Sequence, residues 1–151
     1  MAKPSKLVIV ARTRMYGGRV CIGALTEEAA SIRLMNSSCS SDTADKCPFM
    51  VGEHWEVAYS PCGNRRPPHV EDVAVEAAQK LGVADDLMGY ILARSTPWQG
   101  PIEGLFNGLI RFTGNGGGYI STASGIPPLA TAFWLPSTVL KLSTDDRGKQ
   151  G

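Results

Sequence analysis

The stretch Leu7-Val8-Ile9-Val10-Ala11-Arg12-Thr13-Arg14-Met15-Tyr16-Gly17-Gly18-Arg19-Val20-Cys21-Ile22-Gly23-Ala24-Leu25 decides how this chain reads. Two short apolar runs rich in β-branched residues, 7–11 and 20–25, flank a polar segment, the pattern of two strands joined by a turn. Gly17 and Gly18 supply the positive φ angles that a tight reversal needs, so the segment predicts a β-hairpin with Arg12, Arg14 and Arg19 close together at the strand ends. Five of the 15 lysines and arginines (Lys3, Lys6, Arg12, Arg14 and Arg19) precede the first acid, Glu27, which makes this element locally basic in a chain of net charge +1. A guanidinium cluster beside the Tyr16 ring suits phosphate contact and base stacking; a merely solvated turn is the plainer alternative.

Strand signals continue outward from this hairpin. In 31–35, Ile32 and Leu34 alternate with Ser31 and Arg33, and a polar loop follows over 36–47. In 54–59, Trp55, Val57 and Tyr59 fall on one face and His54, Glu56 and Ala58 on the other. The proline-bounded stretch 61–68 breaks that strand and carries a smaller basic spot, Arg65-Arg66.

The middle third changes character as alanine and leucine replace β-branched residues. Residues 70–75 read equally as strand or first helical turns, whereas 76–81 predicts a helix ending at Gly82. A second helix is expected after Asp85 or Asp86, with Leu87, Tyr90, Ile91 and Arg94 on one side, and a further helical turn after Pro101. Six acids against two basic residues make 67–108 acidic where the first hairpin is basic.

Strand character returns at 109–113 and 119–121, joined by a glycine run in which Asn115-Gly116 marks a hairpin turn; neither a following lysine nor the G-x-G-x-x-G spacing supports a phosphate loop. Residues 131–135 and 138–142 complete the strand inventory, and 143–151 reads as a frayed polar tail. The fold class is therefore mainly β (α+β), organised as a β subdomain over 1–66, a helical insertion over 67–108 and a second, incomplete β subdomain over 109–151.

A chain of 151 residues that is 43% hydrophobic and 19% charged can bury a real core, and reads as a soluble globular protein. No 18-residue apolar run occurs, and the run before Arg12 is too short for a signal peptide, so the expectation is a cytoplasmic protein without membrane contact. Cys39, Cys47 and Cys62 lie near His54 and His69 without a C-x-x-C pair; reduced thiols are expected there over a zinc site or a disulfide. No metal and no cofactor is assigned. Catalytic signals are thin: His69 and Glu71 would share a face if their segment is a strand, which allows an acid/base pair. A structural role is favoured, with Glu71 or Asp72 compensating an arginine of the hairpin or Arg33.

In order, Ala11-Arg12-Thr13-Arg14, Tyr16-Gly17-Gly18-Arg19-Val20-Cys21-Ile22-Gly23, Ile32-Arg33-Leu34 and Pro68-His69-Val70-Glu71-Asp72-Val73 resemble the dual OB-containing domain family of bacterial proteins. So do Pro97-Trp98, Leu105-Phe106-Asn107-Gly108, Gly118-Tyr119-Ile120-Ser121 and Phe133-Trp134-Leu135-Pro136, so that the resemblance spans about residues 6–142. The resemblance implies two OB-like antiparallel β-barrels and nucleic-acid binding in a prokaryotic conflict or defence system; it implies no reaction. The expected function is a non-catalytic binding module for DNA or RNA, with Arg12, Arg14, Arg19 and Arg33 on phosphates and Tyr16 stacking on a base. Two alternatives stay open: a small enzyme acting on a phosphate-bearing substrate through His69 and Glu71, and an adaptor whose uneven charge docks a partner subunit.

Overall fold

The computed structural model describes residues 2–141. The chain divides into two compact units: one holds the residues up to Thr96 together with Ile126–Thr131, the other Pro97–Gly125 and the residues from Ala132 onward. These boundaries differ from the three-part division drawn from composition, because the middle third supplies both a barrel strand to the first unit and short elements to the second.

The first unit is a closed five-stranded barrel in the order β1-β2-β3-β5-β4, consistent with an OB-like barrel. Its strands are β1 (Ser5–Arg14), β2 (Val20–Thr26), β3 (Ser31–Met35), β4 (Glu53–Pro61) and β5 (Asp72–Val83). The opening hairpin forms as expected, from Leu7↔Thr26 to Arg14↔Val20, and β3 and β4 then flank it, each antiparallel to its neighbour. Gly17 and Gly18 adopt φ of 73° and 70° in the turn between β1 and β2. The register shifts between Ile9 and Ala11, and at that bulge Gly23 faces Ala11 so closely that a Cβ would lie 3.2 Å from the alanine methyl.

Alternation fills the barrel. Leu7, Ile9, Ile22, Ala24, Leu34, Trp55 and Val57 all point inward and are buried, with Phe49 from the β3–β4 loop set edge-on against Trp55. Each fully buried Leu, Ile or Val contributes about 1.5–3 kcal/mol relative to an exposed one.

The predicted helix over 76–81 is instead the second half of β5. Helix propensity is a weak preference of a few tenths of a kcal/mol per residue, and here it is overridden by the ladder with β4, which runs from Glu53↔Val83 to Pro61↔Val73. Glu53, buried at the start of β4, fixes the far end: its carboxylate accepts from Met50 N at 2.9 Å and Trp55 Nε1 at 3.0 Å, and Lys80 of β5 donates to it as well. Burial alone would raise this carboxyl, but Lys80 and the two N–H donors outweigh it and hold it below its ordinary value.

Among the described residues helix is therefore limited to α1 (Leu87–Leu92), capped by Asp86 as expected through Oδ1 and Gly89 N at 2.8 Å, and to short turns at Tyr16–Gly18, Ile102–Gly104 and Leu105–Gly108. A central helical insertion is not formed. In the second unit, β6 (Trp98–Gln99) pairs in parallel with β9 (Trp134–Leu135), and β7 (Ile110–Phe112) pairs antiparallel with β8 (Gly118–Ile120) across the glycine turn. These are two two-stranded sheets, and no second barrel closes among the described residues. Residues 138–141 form no strand; Leu142 and the expected polar tail lie outside the described residues.

Cys39 and Cys62 form a disulfide, while Cys21 and Cys47 are free. Reduced thiols were expected from compartment alone, and the pairing arises because the tight turn after β3 lies against the end of β4. No helix among the described residues is long and apolar enough to cross a membrane. With its cysteines 23 positions apart, the disulfide should contribute about 3 kcal/mol by restricting the unfolded chain; urea unfolding of the Cys39→Ser/Cys62→Ser double variant checks this, with a lower midpoint expected.

Candidate nucleic-acid interface

The arginines singled out by sequence separate into two classes. Arg12 turns inward: its guanidinium donates to the carbonyls of Cys47 (3.3 Å), Phe49 (2.7 Å) and Ala44 (3.0 Å), pinning the β3–β4 loop to the barrel. Arg33 is half-buried and forms a two-pronged contact with Asp72, Nε to Oδ1 and Nη2 to Oδ2, both 2.6 Å. The Asp72 hydrogen bond raises the Arg33 pKa further against the opposing effect of burial. The expectation that Glu71 or Asp72 compensates an arginine is met by this pair.

Arg14, Tyr16 and Arg19 form the other class. All three are exposed, Arg14 at the end of β1 and Tyr16 and Arg19 in the β1–β2 loop, and Tyr16 is 101% exposed, a fully solvated ring. The loop is nevertheless held in shape: Met15 N donates to Arg19 O at 2.8 Å, Val20 N to Asp42 O at 3.0 Å and Ala44 N to Gly18 O at 2.9 Å. The β3–β4 loop that provides two of these bonds also carries Cys39, whose disulfide joins it to the start of the β4–β5 loop. That third loop bears Arg65 and Arg66, both exposed, with Arg65 Nη1 bonded to Val70 O at 2.9 Å. The sequence marked Arg65-Arg66 as a basic spot without attaching it to the first hairpin; the only local signal for the link is the pair of cysteines.

His69 and Glu71 are not brought together. His69 is exposed in the β4–β5 loop, Glu71 is buried at the foot of β5, and no hydrogen bond or salt bridge joins them. Glu71 Oε2 instead accepts from Thr131 Oγ1 at 3.0 Å, and its Oε1 has no partner. Burial raises the Glu71 carboxyl above its ordinary value against the opposing effects of Thr131, the Ala130 N–H and Arg33. Among the described residues no cluster of His, Cys, Asp and Glu has the makings of a metal site.

No protein family, curated protein or solved structure matches this chain. The reading of the surface therefore rests on its own chemistry: in OB-type barrels the β1–β2 and β4–β5 loops flank the ligand face, and here those two loops carry exposed arginines.

Two outcomes follow from this geometry. Arg12→Ala should cost about 2 kcal/mol of stability, since three carbonyl contacts of a charged donor are lost, and denaturant unfolding reads this directly. Glu71 has a raised folded-state pKa, so its contribution to stability is complete below its unfolded value of 4.5 and is lost as pH rises through the folded value. Glu71→Gln should therefore stabilise the protein at pH 7 relative to wild type, with the gain disappearing below about pH 4 in thermal melts across a pH series.

Proposed function

We propose that this protein is a non-catalytic OB-type module that binds single-stranded or structured nucleic acid through its β1–β2 loop. The observation that carries the reading is Tyr16, a wholly exposed aromatic ring on a loop locked by backbone hydrogen bonds, with exposed Arg14 and Arg19 on either side of it in sequence. Exposing a large ring to water has no folding benefit, whereas a base stacks on it with a gain of about 1–3 kcal/mol. Arg14 and Arg19 supply phosphate contacts, and Arg65 and Arg66 extend the basic surface through the disulfide-linked loop. Charge favours a nucleic acid over the neutral oligosaccharides that such barrels also take. Arg12 and Arg33 act on the fold rather than on the ligand.

The resemblance to the dual OB-containing domain family of bacterial proteins extends the proposal to a prokaryotic conflict or defence setting in the cytoplasm. In that compartment reductants act on the Cys39–Cys62 disulfide.

Fluorescence anisotropy with labelled DNA and RNA oligonucleotides across a salt series tests the reading. Affinity should fall with salt. Arg14→Ala/Arg19→Ala should flatten the logarithmic salt slope by about 1.4 units, two phosphate contacts on a single strand, and Tyr16→Ala should weaken binding by about 1–3 kcal/mol with little change in slope. Absence of binding at low salt by the folded protein would falsify the proposal and favour a protein-docking role.

A further inference from the structure

Beside the β1–β2 loop the barrel opens into a cleft of about 310 Å³, at the small end of the range for ligand sites. It exists because β5 pairs with β3 only from Arg33↔Asp72 to Met35↔Ala74 and then continues along β4 alone. Past that point the cleft is lined by Val75 and Ala78 of β5, Leu34 of β3, Ile22 of β2 and Phe49 of the β3–β4 loop. The cleft is polar and apolar in about equal measure, and Phe49, packed edge-on against Trp55, is largely buried beneath it.

Its polar lining is one-signed. Asp42 and Glu76 border the cleft, and no lysine or arginine lines it. Asp42 is held in place rather than left to swing: Asn36 Nδ2 donates to its Oδ1 at 2.9 Å, and the Asn36 amide is itself fixed because its Oδ1 accepts from Ser38 N and Ser40 N at 3.0 and 3.1 Å. Among the described residues Asp42 has no salt-bridge partner. A positioned carboxylate is an acceptor-only group with two oxygens side by side. Such a site repels phosphate and accepts a flat neutral ring that presents two adjacent N–H donors. Of the common bases, guanine alone does so on its pairing edge; adenine and cytosine place an acceptor beside their amino group, and uracil and thymine flank one N–H with two carbonyls.

The geometry points to a guanine-binding cleft at the mouth of the barrel, with the base beside Val75 and Ala78 of β5 and its pairing edge on the Asp42 carboxylate. The inference deepens the nucleic-acid reading and rests on it for its biological meaning: the exposed arginines hold phosphates outside the cleft while the acidic interior selects the base. The backbone of the same Asp42 ties the two together, since its carbonyl accepts from Val20 N at the end of the arginine loop.

The test uses nucleosides, which carry no phosphate, titrated into the full chain and followed by NMR. Guanosine should shift the signals of Ile22, Leu34 and Val75, whereas adenosine, cytidine and uridine should leave them in place. Asp42→Asn should weaken guanosine binding by about tenfold or more. Ala78→Phe, a substitution at an exposed strand position, should block the cleft. Equal response to all four nucleosides, no response to guanosine, or full guanosine binding by both folded cleft variants overturns the inference. Oligonucleotide binding without base preference removes this inference and keeps the proposed function; guanosine binding in the cleft without oligonucleotide binding does the reverse.

Discussion

The barrel closes at the seam between β3 and β5, which one ion pair spans. β3 and β5 are its only parallel neighbours, and they meet over a short ladder that begins where Arg33 lies opposite Asp72. Their side chains join in a two-pronged contact, and Arg33 N also donates to Glu71 O at 2.8 Å. A planar guanidinium matched to a carboxylate fixes both distance and orientation, so the pair sets the register of the seam that a short parallel ladder would hold poorly by itself. The surrounding β1–β2, β2–β3, β1–β4 and β4–β5 pairs then form a continuous antiparallel surface around a core of Leu, Ile and Val side chains.

From that seam the loops acquire their shape. The β3–β4 loop has little regular structure, yet it is held from three sides: by the Arg12 guanidinium, by backbone hydrogen bonds to the β1–β2 loop and by the disulfide to Cys62. Ordering a loop costs conformational entropy, and these anchors offset that cost without a helix. The same loop contributes Phe49 to the core, Asp42 to the rim of the cleft and Cys39 to the disulfide, so one irregular segment connects the basic loops to the barrel interior.

The arginines show why charge counts alone do not define a surface. A guanidinium has five donors, and where backbone carbonyls or a carboxylate lie within reach in a partly dry environment it is captured by them. Arg12 and Arg33 are captured in this way. Arg14, at the end of β1, and Arg19, just before β2, are exposed and have no salt-bridge partner among the described residues. Burial, decided by strand phase and by loops distant in sequence, divides two structural cations from two available ones.

Local sequence determined the elements whose signals are short-range. Glycine at 17 and 18, alternation in 31–35 and 54–59, the Asp86 cap and the Asn115-Gly116 turn each act through φ preference, side-chain period or a neighbouring hydrogen bond, and each appears where those residues stand. The compensation of Arg33 by Asp72 was legible as an electrostatic need. Tertiary structure alone decided the rest. Residues 76–81 became strand because β4 offered a ladder that outweighs helix propensity; the cysteines paired because two loops 23 residues apart were brought together; Arg12 left the candidate surface because carbonyls more than 30 positions away captured it; and the cleft exists only where β5 departs from β3. Such outcomes depend on contacts between distant segments, whose free energies exceed the local preferences written in the chain.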